Sequence, residues 1–72
     1  MEFVIVRYPE SRTVLIDGEE GGFTNEILRV NEGTHLFKLD GPKDYQPAWR
    51  RPTVTGTDPN APMEVTFEHA ED

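Results

Sequence analysis

Val14-Leu15-Ile16-Asp17-Gly18, Gly22-Phe23-Thr24-Asn25, Asn31-Glu32-Gly33-Thr34, His35-Leu36-Phe37-Lys38-Leu39 and Asp44-Tyr45 together form the stretch that decides the fold. It reads as short strands cut by glycines. Val14 and Ile16 share one face of a strand over Arg12 to Asp17. Asp17-Gly18 and Gly21-Gly22 bracket a turn-rich segment where positive φ is easily reached. Phe23 to Val30 admits two readings. Phe23, Ile27 and Val30 recur at helical spacing and Thr24 can cap the start, but two turns make a marginal helix. As a strand, Leu28 and Val30 point inward around Arg29, and the strand is the expectation. Asn31-Glu32-Gly33 is a compact turn. Thr34 to Asp40 is the cleanest strand, with His35, Phe37 and Leu39 on one face.

Outward from this stretch the pattern continues. Met1 to Tyr8 is rich in Val, Ile and Phe, and Phe3-Val4-Ile5-Val6 predicts burial on both faces. Gly41-Pro42-Lys43-Asp44 has strong turn chemistry. Gln46 to Thr55 contains a strand around Trp49. Pro47 and Pro52 cannot donate ladder hydrogen bonds, which predicts an edge or irregular strand. Gly56 to Pro62 is a loop, and Met63, Val65 and Phe67 alternate with Glu64, Thr66 and Glu68 in a last half-buried strand. The expectation is an all-β chain: a small antiparallel β-sandwich of about five to six short strands. It is one domain over residues 1–72, with a short acidic tail at 70–72.

Composition bounds the rest. A chain of 72 residues buries only roughly 60% of its unfolded surface, so its core is thin. Cysteine is absent, which excludes disulfide staples and thiolate zinc sites, and leaves packing or a partner chain to supply stability. The net charge of −7, from 14 acids and 7 bases, argues against a phosphate backbone as partner, because Arg50-Arg51 is the only run of bases. The N-terminal apolar run is too short for a secretory or membrane segment, so no membrane insertion and a cytoplasmic location are expected.

The order of these motifs resembles a PEGA domain. Val14 to Gly18 stands at that family's first strand and Asp-Gly turn, and Gly22-Phe23-Thr24-Asn25 at its Gly-x-Thr-Pro segment, with Asn25 for proline. Asn31-Glu32-Gly33-Thr34 stands at the Pro-Glu-Gly-Ala turn, keeping only the central Glu-Gly. His35, Phe37 and Leu39 fit the strand that follows, and Asp44-Tyr45 replaces Gly-Tyr. The likeness spans roughly Thr13 to Phe67. It implies a small prealbumin-like β-sandwich that serves as a non-catalytic interaction module.

Candidate chemistry is sparse. His35 reads as a ligand or base, or as a half-buried histidine hydrogen-bonded to backbone near its turn. Ser11, the only serine, lies in a turn, so no nucleophile and base are placed together and no enzyme is expected. Asp17, Glu19 and Glu20 could offer oxygens to a hard cation but lack an EF-hand series, and Glu68, His69, Glu71 and Asp72 form an acidic tail with the same weak potential. No cofactor or metal is therefore expected. Tyr45, Trp49, Arg50 and Arg51 are the candidate partner- or ligand-binding residues. Trp49 and Tyr45 either pack into one end of the core or present rings to a sugar, with the guanidiniums holding a carboxylate. The expected function is protein interaction, or self-association, through an exposed sheet edge. Carbohydrate binding by residues 45–52 is the alternative.

Overall fold

The apolar run at the N-terminus becomes the middle strand of a sheet. β1 (Glu2–Arg7) pairs antiparallel with β4 (Ile27–Val30) and parallel with β9 (Met63–Thr66). Being central, β1 is covered on both faces: Val4 and Val6 are fully buried and Ile5 nearly so. The computed structural model describes residues 1–70, and the expected acidic tail at 70–72 lies outside them apart from Ala70. The second sheet is antiparallel and runs in the order β3 (Glu19–Phe23), β2 (Thr13–Ile16), β6 (Phe37–Leu39). Val4, Val6, Leu28, Val30 and Val65 from the first sheet meet Val14, Phe37 and Leu39 from the second in one core. The chain is a small β-sandwich.

The strand count differs from the five to six expected, and the reason is local. There are ten short strands among the described residues. Residues 34–40, which read as one strand, are divided. β5 (Gly33–Thr34) pairs with β8 (Thr53–Val54), whereas β6 pairs with β2. The last strand is likewise divided into β9 and β10 (Glu68–His69), and β10 pairs with β7 (Tyr45–Gln46). The strands pair antiparallel as expected except for β1 and β9, which run parallel. Their connection runs through the whole second sheet, so the chain returns to β1 in the same direction.

The segment from Asp17 to Gly22 is corrected too. Only Asp17-Gly18 is a turn: φ is +54° and +86° there, the type I′ geometry that joins Ile16 to Glu19 across a two-residue hairpin. Gly21 and Gly22 instead lie within β3. The register slips between Val14 and Leu15, leaving Gly21 as the extra residue of a bulge. A Cβ on Gly21 would lie 2.3 Å from Ile16 Cδ1, so the glycine serves close approach rather than a turn.

Polar side chains tie the turns to this frame. Thr24 is buried; its hydroxyl donates to Glu10 O at 2.7 Å and accepts from the Arg12 N–H at 2.9 Å. Asn25 sits at φ +64° and its amide bonds both the N–H and the C=O of Tyr8. Arg12 gathers the turn after β6, donating to Asp40 O, Pro42 O and Asp44 Oδ1. Its guanidinium carbon lies 5.7 Å from the ring centres of both Tyr8 and Tyr45. These contacts join turns that are distant in sequence, in a chain that has no cysteine to staple them.

Phe37 is fully buried and Trp49 is 53% exposed. Phe37→Ala is expected to lose about 3–5 kcal/mol of stability, a large share of the 5–15 kcal/mol typical of a whole domain. Trp49→Ala is expected to stay within about 0.5 kcal/mol of the parent. Urea unfolding of the two variants checks the contrast, and equal losses would place Trp49 in the core.

Candidate functional site

Tyr45 to Val54 is a single run of chain that serves both sheets. Its start, β7, pairs with β10 in line with the first sheet. Its end, β8, pairs with β5 in line with the second. Between them Arg50 exchanges both backbone hydrogen bonds with Phe37, at 2.7 and 3.0 Å, and His35 N–H donates to Pro52 O at 3.2 Å. The irregular strand expected from Pro47 and Pro52 is therefore present, broken where proline offers no N–H.

Of the four expected binding residues, Arg50 and Arg51 line one groove and Trp49 is exposed beside Arg51. Tyr45 does not join them. It is 6% exposed, packs edge-on against Phe67, and its hydroxyl donates to Leu39 O at 2.9 Å. Trp49 does not close the core but stands in solvent, with the Arg51 guanidinium 5.8 Å from its ring centre. The backbone pairing of Arg50 with Phe37 leaves its side chain free to cross to the other sheet, where Nε donates to Thr66 O at 3.2 Å.

That crossing marks a feature of β9 which strand patterning does not reveal. Phe67 N–H donates to Arg7 O at 2.8 Å. In a parallel ladder alternate residues face the same neighbour, so Val65 and Met63 also turn their backbone groups to β1. Glu64 and Thr66 turn theirs outward. Beyond Thr66 the outward side of this strand is covered, since β10 meets β7. Before it, the chain that formed β7 has crossed to the other sheet, and among the described residues β9 is an open edge.

The edge looks into a groove of about 480 Å3 lined by Arg50, Arg51, Pro52 and Met63 to Thr66. A neighbouring hollow of about 400 Å3 continues it past Gln46, Pro47 and Glu68. Arg50 and Thr66 line both, so the guanidinium spans the groove partway along. Glu64 is drawn off by Arg7, 3.3 Å away. Neither Arg50 nor Arg51 has a carboxylate partner among the described residues.

A second cluster lies across Arg51 from this groove. His35 Nδ1 is 2.6 Å from Asp17 Oδ2, and its Nε2 is 2.6 Å from Asn31 O. The other Asp17 oxygen accepts the Leu36 N–H at 2.9 Å. The expected backbone contact near the turn is thus one half of the arrangement, and the Asp17 carboxylate is the other. Both ring nitrogens face acceptors, so only the imidazolium can donate to both. Asp17 first, then the Asn31 carbonyl, raise the His35 pKa above its usual 6.5, against an opposing effect of burial. His35, then the Leu36 N–H, hold the Asp17 carboxyl below its usual 3.8. Asp17, Thr34, His35, Leu36 and Arg51 line a shallow recess. With Asp17 committed to His35, it does not join Glu19 and Glu20 around a cation. Among the described residues no three His, Asp or Glu side chains gather in a metal-binding group. Glu71 and Asp72 lie outside those residues. No described helix is long and apolar enough to cross a membrane.

His35 contributes stability that is fully present below the unfolded-state pKa of about 6.5 and is lost as pH rises through the higher folded-state value. Asp17 contributes above its unfolded value, and that part is lost as pH falls through the depressed folded-state one. Asp17 is half exposed, its side chain at 52%, so solvent screening keeps the effect within about 1 kcal/mol. Urea unfolding of the parent and His35→Gln from about pH 5 to about pH 9, which spans the histidine titration, is expected to show the parent's advantage shrinking toward the alkaline end. A difference that is constant with pH would mean that no imidazolium holds the cluster.

No family model matches the sequence, and no curated protein or solved structure matches it either.

Proposed function

We propose that this chain is a non-enzymatic interaction module that captures an extended segment of a protein partner as an added strand. The observation that carries this reading is the outward-facing backbone of Glu64 and Thr66 along a groove whose far wall is Arg50 to Pro52. An unpaired sheet edge is a template for main-chain hydrogen bonds, and an extended peptide satisfies it. The β3 edge carries a deterrent. β3 presents Glu19 and Glu20, both exposed, and acidic edge residues oppose pairing. The PEGA-like order of turns supports an interaction module, although Asn25, standing for that family's proline, has φ +64°, which proline cannot adopt.

Carbohydrate binding finds less support. A sugar platform from residues 45–52 needs open aromatic faces, and Tyr45 is buried while Arg51 stands over the Trp49 ring.

The test is titration of the 15N-labelled chain with extended peptides of about eight residues rich in Val, Ile and Thr. Strand addition is expected to shift the Glu64 and Thr66 amides and slow their hydrogen exchange. Glu64→Pro removes an outward N–H while the β1 ladder stays intact, and is expected to abolish binding. Shifts confined to the Trp49 surface or to β4 would refute capture at β9.

A further inference from the structure

Resting on that reading, we infer that the captured strand is acidic: it carries a carboxylate side chain that takes the Arg50 guanidinium away from Thr66. The Thr66 carbonyl faces outward and is one of the groups an added strand must bond. In the free protein that carbonyl is already occupied, by Arg50 Nε at 3.2 Å. Arg50 is therefore a strap across the groove, and the groove opens for a strand only when the strap moves.

Carboxylate chemistry is what makes the exchange favourable. A neutral strand frees the carbonyl but leaves the guanidinium to water. A carboxylate beside it accepts the guanidinium, in the paired geometry that suits arginine, at the moment the incoming N–H takes Thr66 O. Arg51 follows Arg50 directly and lines the same groove. Local charge permits this. Glu64 lines this groove as well but is paired with Arg7 at 3.3 Å, so the Arg50 and Arg51 guanidiniums there have no carboxylate bound to them among the described residues. A second copy of this chain suits the groove poorly. Its own β9 would bring Glu64 already held by Arg7, on a protein of net charge −7.

Three peptides of one β-prone backbone separate the outcomes, with Glu, Gln or Lys at alternate positions. The Glu peptide is expected to bind about tenfold more tightly than the Gln peptide, the weight of one charge-assisted hydrogen bond, and the Lys peptide more weakly than either. Arg50→Gln leaves the backbone pairing with Phe37 in place and is expected to erase the preference for the Glu peptide over the Gln peptide. Circular dichroism checks its fold, and Arg51→Gln provides a second variant with a smaller expected loss. Equal binding of Glu and Gln peptides, with Glu64 and Thr66 amides shifting in both, would overturn acidic selection and leave strand capture standing. Absence of those amide shifts with every peptide would overturn both. Concentration-dependent dimerisation that shifts the same amides without peptide would identify a second copy as the occupant instead.

Discussion

One run of chain, Tyr45 to Val54, closes both sheets, and the rest of the molecule is arranged around that constraint. Tyr45 and Val54 are both buried at its ends, one beneath each sheet. A chain this short has no spare strand to give each sheet its own border. Sharing one segment solves the core and creates a deficit elsewhere. Where the segment leaves β10 for the second sheet, the upstream half of the same strand loses its neighbour. The open edge of β9 is thus a consequence of how the core is closed.

Polar side chains that reach from one turn to another add stability to this frame. Arg12 holds the turn after β6, Thr24 and Asn25 hold the turn after β1, and His35 joins Asp17 to Asn31. Each is largely withdrawn from solvent or satisfied at several atoms, which is where charge-assisted bonds contribute most. Single surface ion pairs such as Arg7–Glu64, with both side chains more than half exposed, contribute little beside them. Rigidity in these turns matters for the edge. His35 sits between β5 and β6, and its N–H bonds Pro52, so the far wall of the groove is held by the same residue that the Asp17 carboxylate orients.

What was legible in the sequence follows period and turn chemistry. Alternation in Leu28-Arg29-Val30, Phe37-Lys38-Leu39 and Met63 to Phe67 marks the buried faces correctly, and Asp17-Gly18 is the hairpin turn it resembles. Gly21-Gly22 misleads because a bulge and a turn ask for the same residue; the side chain of Ile16, contacted across the hairpin, is what distinguishes them. The pairing of His35 with Asp17 joins residues 18 apart, and the Arg12 contacts join residues 28 to 32 apart, so neither is visible before the strands are paired. Prolines at 47 and 52 did signal an irregular edge around Trp49. They could not show that the vacancy would fall on β9, because that depends on which sheet the chain joins after each break.

Charge acts on this edge at two ranges with opposite signs. Over distances beyond the Debye length of about 8 Å at physiological salt, screening mutes the field, and what remains of it is that of a net acid. Long-range steering therefore favours a neutral or basic partner. Inside the groove the nearest charges are Arg50 and Arg51, and the pull is on a carboxylate. Under the proposed strand capture, the two demands would be compatible in one kind of partner, a segment with an isolated acid within a protein that is not itself strongly acidic. Association would then be set by the overall charge and residence by the local one, since contact-range pairs act chiefly on dissociation. If the edge captures a strand as proposed, copies of its own chain would fail the first rule by their net charge even where a strand could meet the second. On the proposed reading, the net charge of −7 would then oppose pairing of the β9 edge with a second copy of the chain.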